Sequence, residues 1–224
     1  MSDPTRASGP YRIIAARGAA AVAATSASGR AVGASDMVGA LGGIDERQSS
    51  GASVDALRAW MWTGAPVVRL LIDGRAGTGK TTLAAALKDP GTAVVHMDDI
   101  YPGWDGLEVA AEAVFRTLIA PHAAGQVGRW QRWDWQAEAP AEWHEIDPET
   151  SVIVEGCGAL SRSAAPLATH RIWMEAPSAE RHRRAIGRDG ELFAAHWDRW
   201  AAQEATFIAA NGPTELADLV LRSL

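Results

Sequence analysis

Residues 74–81 match the pattern G-x-x-x-x-G-K-[ST] at every fixed position. Glycine-rich loops of this kind curl so that several backbone N–H groups point at one anion. Before the loop, residues 67–73 form a mostly apolar, β-branched run typical of a buried parallel strand. After it, residues 82–88 suit a helix that Pro90 and Gly91 would stop. Strand, loop and helix N-terminus together predict a site for the phosphates of a nucleoside triphosphate, rather than a glycine-rich turn that matches by chance.

Two side chains at the end of this loop have specific roles in such a site. Lys80 can reach the β- and γ-phosphates, and the Thr81 hydroxyl can hold Mg²⁺. We therefore expect ATP and Mg²⁺ as the cofactors. The residues predicted to contact the nucleotide are Gly74, Arg75, Ala76, Gly77, Thr78, Gly79, Lys80, Thr81 and Thr82.

The composition narrows the class of protein. The chain has 224 residues and a formal net charge of −6, so it can form one α/β domain and offers no net basic surface for nucleic acid. Its single cysteine, Cys157, excludes an internal disulfide framework and a metal site built from several cysteines. No apolar run is long enough to span a membrane. We expect a cytoplasmic protein with a small-molecule substrate and no nucleic-acid or membrane partner, and self-association into a homo-oligomer stays open.

The composition changes along the chain and predicts two parts. Residues 1–52 are rich in Ala, Gly and Ser and have no long amphipathic period, which favours a flexible N-terminal extension. An Arg- and Ser-bearing start is also compatible with a transit peptide, whereas Arg17 interrupts the apolar run that a secretory signal would need. Residues 53–224 are expected to form one domain around the phosphate loop.

Segments typical of strands alternate with segments typical of helices after residue 53, which implies a parallel, doubly wound sheet. We expect an α/β protein with the three-layer P-loop NTPase fold and a sheet of about five parallel strands. Further strands are predicted near 92–97, 151–156, 170–175 and 217–221, and helices near 108–120, 180–188 and 191–210.

Acidic residues close two of the predicted strands. Asp98 and Asp99 follow the second strand, and Glu155 follows the third. Because ligands of open α/β sheets bind at the carboxyl ends of the strands, these acids should face the same crevice as Lys80. Asp98 can accept the proton of a substrate hydroxyl, and Glu155 can orient Mg²⁺. The alternatives are a turn with a helix cap for the aspartates and a solvated strand end for Glu155.

A basic helix follows the fourth strand and contains Arg181, Arg183, Arg184 and Arg188. Guanidinium groups stabilise the negative charge of phosphoryl transfer, and a mobile helix would exclude water from the reacting phosphate. We assign this catalytic role to Arg184 and Arg188. The alternative is a solvated helix face with pairs such as Glu180 and Arg184.

A segment rich in tryptophan, residues 129–135, precedes the third strand. Indole faces can stack on a planar group of a substrate, while Arg132 or Asp134 binds its polar edge. We expect Arg132, Trp133 and Asp134 to contact the substrate, and the alternative is ordinary loop packing. Residues 125–150 as a whole are predicted to be an irregular excursion. Cys157 has no identified base partner and is expected to be a small buried residue.

Three matches together resemble the uridine kinase-like branch of P-loop kinases, which includes uridine, nicotinamide riboside and phosphoribulose kinases. These are the phosphate loop, Asp98-Asp99-Ile100-Tyr101, and Val154-Glu155-Gly156. The resemblance covers residues 66–190 and implies that Asp98 is the general base, that Glu155 is a magnesium-linked carboxylate, and that residues 181–188 form an arginine lid. It also implies that Asp99 and Tyr101 lie near the substrate. Ile100 replaces the usual aromatic residue, and the tryptophan-rich segment replaces the usual nucleoside-contact segment.

These observations predict an ATP-dependent kinase that transfers the γ-phosphoryl group to a hydroxyl of a nucleoside or a similar metabolite. Two alternatives stay open. A nucleoside monophosphate kinase would need arginines at the acceptor site, for which Arg129 and Arg132 are candidates. A non-kinase P-loop nucleotide-binding protein would need no base at Asp98, and the absence of an Asn-Lys-x-Asp motif disfavours a GTPase.

Overall fold

The computed structural model describes residues 10–17 and 51–223. Its strands are β1 (Tyr11–Ala16), β2 (Gly51–Ala52), β3 (Arg69–Gly74), β4 (Ala93–His96), β5 (Gly128–Asp134), β6 (Ala139–Ile146), β7 (Val152–Glu155), β8 (His170–Glu175) and β9 (Leu219–Ser223). Its helices are α1 (Val54–Met61), α2 (Lys80–Leu87), α3 (Leu107–Val114), α4 (Ala120–Ala123), α5 (Ser178–Asn211) and α6 (Pro213–Leu216). A π-helical stretch, Phe115–Ile119, joins α3 to α4, and short 3₁₀ turns cover Met97–Asp99 and Ala165–Leu167. None of the helices in these described ranges is both long and apolar enough to cross a bilayer.

The central sheet has the order β2-β1-β9-β8-β3-β7-β4. The pairs from β9 to β4 are parallel, so the predicted α/β class and doubly wound parallel sheet are confirmed. In the register of β4, β7 and β3, Glu155 lies beside both His96 and Ile72. The carboxyl ends of these three strands therefore end at one level, where the site is built.

The sheet separates two apolar layers. Leu70 and Ile72 of β3 pack with residues of α1 and α2 on one face, whereas Leu71 packs with residues of α3 and α5 on the other. This alternation follows from the period of two along a strand. Because both faces are covered, β3 and β7 consist almost entirely of buried residues.

Strand β1 corrects the prediction of a flexible extension for part of residues 1–52. It pairs antiparallel with β9 on one side and antiparallel with β2 on the other, where Tyr11 lies opposite Ala52. Tyr11 and Ile13 are buried on either side of the exposed Arg12, a half-buried alternation that the Ala/Gly/Ser-rich composition of the region concealed. The prediction for residues 18–50 lies outside the described part of the chain.

The tryptophan-rich region is a β-hairpin rather than an irregular excursion. Among the strands of residues 10–17 and 51–223, β5 and β6 pair only with each other. A register shift between Gln131 and Trp133 accommodates Pro140 opposite Trp133. An ion pair between Arg129 and Glu145 links the two strands. Pro140 indicated a loop in the sequence, but proline is compatible with an edge strand beside such a shift.

Helix α5 consists of two helical parts, as the sequence predicted. Gly190 has non-helical torsion angles (φ 69°, ψ −156°) and separates them. Gly212 ends the second part in the left-handed conformation, with Pro213 directly after it. The first part carries the arginines of the predicted lid, from Arg181 to Arg188, and the second part carries the buried aromatic residues Phe193, Trp200 and Phe207. The break at Gly190 therefore orients two chemically different surfaces.

We predict that Ile13→Ala lowers the free energy of unfolding by about 2–5 kcal/mol, because it removes a side chain that is 4% exposed in the core. The matched control is Arg12→Ala, the exposed neighbour in the same strand, which should change it by less than about 0.5 kcal/mol. Urea unfolding followed by tryptophan fluorescence measures both. Equally small effects would contradict the inclusion of β1 in the folded core.

Candidate nucleotide and acceptor site

The phosphate loop between β3 and α2 is shaped by three glycines. Gly74, Gly77 and Gly79 have φ values of 150°, 81° and 92°, which other residues rarely adopt. A Cβ atom on Gly74 would collide with the Met174 carbonyl, and one on Gly77 would collide with the Arg181 carbonyl. Glycine is therefore required both by the torsion angles and by the close packing of the loop against β8 and α5.

Lys80 lies at the centre of this loop. Its Nζ atom donates to the carbonyls of Gly74 at 2.8 Å and Arg75 at 3.1 Å, and its side chain is buried. Burial opposes the charge, but the nearby carboxylates of Glu155 and Glu204 outweigh burial and raise the pKa of the amine. Lys80 therefore carries a fixed positive charge where the motif places the β- and γ-phosphates.

Glu155 brings a carboxylate to the first turn of α2. Its Oε1 atom accepts a hydrogen bond from the Thr81 hydroxyl at 2.9 Å and lies 2.6 Å from His96 Nδ1. Burial tends to raise the pKa of Glu155, but the contacts with His96, Lys80 and Thr81 outweigh burial and lower it. An ionised carboxylate beside a hydroxyl is the oxygen donor set that Mg²⁺ prefers, so Thr81 and Glu155 fit the predicted metal ligands.

Asp98 lies in the 3₁₀ turn after β4 and faces the same cavity as Lys80. Its side chain is open to the cavity, with 60% exposed, and Arg188 Nη2 lies 3.7 Å from its Oδ2 atom. The protein that surrounds the cavity partly desolvates the carboxyl group and raises its pKa, while Lys80 and Arg188 act in the opposite direction. The turn has no side-chain cap at its N-terminus, so capping does not account for the aspartates. Asp99 is not among the residues that line the cavity.

The predicted arginine lid approaches the loop from α5. Arg184 and Arg188 line the cavity, and Arg181 donates to the Ala76 carbonyl at 3.2 Å. Arg184 pairs with Glu180 and Arg188 pairs with Asp189. Arg184 and Arg188, to which the sequence analysis assigned a catalytic role, thus line the same cavity as the phosphate loop, and each has a carboxylate partner.

Arg183 agrees with the alternative interpretation of the basic helix, that of a solvated helix face with ion pairs. Its side chain is 76% exposed and pairs with Glu180. It therefore belongs to the solvated face, although it is adjacent in sequence to Arg184.

The cavity has a volume of about 430 Å³, and its far end is aromatic. Tyr101 packs edge-on against Trp200 with ring centroids 4.7 Å apart, and Trp104 lies 5.2 Å from Trp135 and 5.7 Å from Phe193. Tyr101 was predicted to be near the substrate and does line this end. An acceptor bound between these rings and the phosphate loop would have its reacting group next to Asp98.

The structure does not bring Arg132, Trp133 or Asp134 to this cavity. Arg132 and Trp133 line a different groove, and Arg132 pairs with Glu142. Asp134 accepts hydrogen bonds from the backbone of the hairpin turn. Trp135 lines the cavity in their place, because the end of strand β5 at Asp134 directs the chain toward the 3₁₀ turn of Asp98.

Sequence reasoning missed Glu204, which contacts the phosphate loop directly. This carboxylate is 3% exposed, accepts from the Ala76 amide at 2.6 Å, and lies 3.5 Å from Arg75 Nη1. Its position three or four residues from the buried Trp200 and Phe207 places it on the apolar face of α5. Glu204 and Ala76 are 128 positions apart, so no local motif links them. In the sequence, the only indication of a role for Glu204 was an acidic residue on the apolar face of a helix.

A second buried acid, Asp73, connects the start of the phosphate loop to the segment that follows β7. It accepts backbone hydrogen bonds from Gly74 at 2.6 Å, Gly158 at 3.1 Å and Leu160 at 2.8 Å. Burial raises its pKa to about 6 in spite of these bonds. Cys157, beside these residues, is buried, and burial raises its thiol pKa well above the usual range. It therefore matches the predicted buried residue rather than a nucleophile.

We predict that Gly77→Ala weakens binding of an ATP analogue by more than about tenfold, or ~1.4 kcal/mol, because a Cβ atom would displace α5 from the loop. The matched control is Gly91→Ala. Gly91 also has a positive φ, of 85°, but has no atom within 4 Å of an added Cβ. It should cost about 1–2 kcal/mol of stability and leave binding unchanged. Isothermal titration calorimetry decides, and equal binding by both variants would contradict the role of this contact.

Comparison with known proteins supports the fold but provides no close relative. No protein-family model matches the sequence, and no curated protein matches it significantly. Among solved structures, one described as a "Possible Uridine Kinase from Bacillus stearothermophilus" has a TM-score of 0.52 and 18% identity, and covers 75% of this chain and 96% of that chain. Another, a "putative fructose transport system kinase from Silicibacter sp. TM1040", has a TM-score of 0.44 and 21% identity over 78% of this chain and 98% of that chain. The resemblance to the uridine kinase-like branch of P-loop kinases is thus confirmed at the level of the fold.

Proposed function

We propose that this protein is an ATP-dependent phosphotransferase that transfers the γ-phosphoryl group to a hydroxyl of a small metabolite, with a nucleoside as the acceptor class that the resemblance suggests. One observation carries this proposal. Asp98 and Lys80 line the same cavity, whose lining also includes the aromatic residues Tyr101, Trp104 and Trp135. A kinase needs both groups at the boundary between donor and acceptor.

The loop residues bind and orient the triphosphate. Backbone N–H groups at the N-terminus of α2 and the charge of Lys80 attract the phosphates. Mg²⁺, held by the Thr81 hydroxyl and Glu155, would neutralise part of the charge on the β- and γ-phosphates. The ionised state of Glu155 suits this task, because it is maintained by His96 and Lys80.

Asp98 handles the proton of the acceptor. As the acceptor oxygen forms its bond to the γ-phosphorus, the bond from that phosphorus to the β–γ bridging oxygen breaks and ADP leaves. The hydroxyl proton passes to the Asp98 carboxylate and is then released to solvent, so that the products are ADP, the phosphorylated acceptor and a proton. The exposure of Asp98 to the cavity, 60% of its side chain, allows this contact.

Arg184 and Arg188 neutralise the transferred group. Each pairs with a carboxylate in the structure, Glu180 and Asp189 respectively. Ion pairs that are partly exposed are weak, so a phosphate can compete for these guanidinium groups. Ala185, between the two arginines, also lines the cavity, and this part of α5 would exclude water from the reacting phosphate.

The two alternative functions differ in their support. The arginines that a nucleoside monophosphate kinase would require, Arg129 and Arg132, pair with Glu145 and Glu142 on the hairpin and do not line the cavity. That alternative therefore has no support from the site. A non-kinase nucleotide-binding protein would bind an ATP analogue but would have no ADP release for Asp98→Asn to lower.

We predict that Asp98→Asn lowers kcat by about 10²–10⁴-fold, because the amide cannot accept the proton, while the Kd for an ATP analogue stays within about threefold. ADP release, screened first across nucleosides, nucleotides and sugars, measures turnover. Asp99→Asn is the matched control, since Asp99 is outside the cavity lining. A protein whose ADP release survives Asp98→Asn but not Asp99→Asn would contradict the assignment of the base.

We also predict a shift in the pH profile. Arg188 lowers the pKa of Asp98, so Arg188→Ala should raise that pKa and move the acidic limb of log(kcat/KM) to higher pH. A base is active when deprotonated, and a higher pKa therefore requires a higher pH for activity. Arg188→Lys should keep the limb near its original position, and Arg183→Ala, on the solvated face, should not move it. A limb that moves to lower pH in Arg188→Ala would refute this coupling.

A further inference from the structure

The aromatic end of the cavity holds two indole N–H groups that the protein itself does not use. Trp104 and Trp200 both line the cavity, and neither N–H is hydrogen-bonded to any atom of residues 10–17 and 51–223. The Trp135 N–H differs, because it donates to the Asp98 carbonyl at 2.9 Å. An indole nitrogen can only donate, so a free one at a cavity is a donor available to a ligand.

The Trp200 N–H belongs to a side chain that is otherwise enclosed. Trp200 is 5% exposed, and the rings of Tyr101 and Trp104 pack edge-on against it with centroids 4.7 Å and 6.4 Å away. In the described part of the chain, the side-chain polar atoms that are fully enclosed and lack a partner lie elsewhere. The Trp200 Nε1 atom therefore reaches open space, and the open space that Trp200 lines is the cavity.

The backbone carbonyls at this end are already engaged. Three residues that line the cavity each have a carbonyl that accepts a hydrogen bond from a side chain, namely Asp98 from Trp135, Cys157 from Tyr101, and Trp104 from Gln203. The Asp98 carboxylate is needed for the hydroxyl that reacts. The aromatic end thus offers free donors to the ring edge of an acceptor, while its carbonyls already have partners.

This imbalance distinguishes between the polar groups that a planar acceptor can carry. A keto oxygen can accept hydrogen bonds from the N–H groups of Trp104 and Trp200. An amino group in the same place would bring a donor against these donors, and burial of unpaired donors costs free energy. The aromatic side chains of Trp135 and Phe193, which also line the cavity, provide ring faces on which a planar base can pack.

We infer that Trp200, together with Trp104, is the specificity-determining donor that selects nucleosides whose base carries a keto oxygen over those that carry an amino group. This inference rests on the proposed function and narrows its nucleoside acceptor. Pyrimidine and purine bases share the keto group, so either can supply this chemistry. The reaction is the one written above, with the sugar hydroxyl presented to Asp98.

The first test compares two pairs of nucleosides by ADP release with ATP and Mg²⁺. Uridine and inosine carry a keto oxygen where cytidine and adenosine carry an amino group. We expect kcat/KM for the keto nucleoside to exceed that for its amino partner by at least about tenfold. The pair that is turned over faster distinguishes a pyrimidine from a purine acceptor. This test uses the wild-type protein and does not depend on the folding of a variant.

The second test removes each partner of the inferred hydrogen bond in turn. Trp200→Phe removes the N–H and keeps an aromatic ring, whereas pyrimidin-2-one riboside and purine riboside lack the keto oxygen of uridine and inosine. Loss of this oxygen should lower kcat/KM at least about fivefold in wild type but less than about twofold in Trp200→Phe. A merely structural role of Trp200 would leave the two ratios equal. The Kd for an ATP analogue should stay within about threefold in Trp200→Phe.

Trp143→Phe is the matched control, because Trp143 is a tryptophan of the hairpin that lines a different groove. It should leave the preference for the keto nucleoside unchanged. Equal or higher kcat/KM for the amino nucleosides would overturn the inference, as would equal effects of the missing oxygen in wild type and Trp200→Phe. ADP release that depends on Asp98 but occurs only with acceptors that are not nucleosides would also overturn it, while the kinase proposal stands. Failure to bind the ATP analogue at all would instead refute the proposed function itself.

Discussion

The close contact between the phosphate loop and helix α5 determines the rest of the site. The first part of α5 places the Arg181 carbonyl against Gly77, where only a glycine fits. The second part places Glu204 against the Ala76 amide. Because the break at Gly190 lies between these two contacts, both parts of one helix are held on the same loop. The arginines and the aromatic wall then face a shared cavity.

The charge distribution of the site depends on the acidic residues that are buried near Lys80. Three acids, Asp73, Glu155 and Glu204, are buried near this single lysine, and each is stabilised by hydrogen bonds, mainly from backbone N–H groups for Asp73 and from side chains for Glu155. Such bonds compensate for desolvation, which is otherwise expensive for a charged group. Asp98 differs, because its carboxylate faces the cavity and has only the loose contact with Arg188. With 60% of its side chain exposed, Asp98 is accessible to a ligand in the cavity, unlike the three buried acids.

The residues that the sequence placed at one crevice, and that line one cavity in the structure, are those whose positions local rules determine. The phosphate loop follows from glycine torsion angles, and the positions of Asp98 and Glu155 follow from the alignment of parallel strand ends. Arg184 and Arg188 follow from their helical spacing on one face. Each of these predictions needed only the identity of a short segment and its secondary structure.

The parts that it missed depend on contacts between distant segments. Strand β5 ends at Asp134, and the Trp135 indole beyond it donates to the Asp98 carbonyl and lines the cavity, whereas Trp133 within the strand lines a different groove. Glu204 meets Ala76 only because α5 folds back over the loop. The short strand Tyr11–Ala16 is stabilised by its pairing with β9 at the far end of the chain, and no local pattern reveals that partner.

The most direct test of the account is a crystal structure of the protein with Mg²⁺ and a non-hydrolysable ATP analogue. The account predicts the triphosphate within the loop of residues 74–81, with Lys80 on its β- and γ-phosphates and Asp98 facing the γ-phosphorus across open space that ends at Trp135. A nucleotide bound elsewhere, or an Asp98 carboxylate separated from the γ-phosphate by protein, would contradict it.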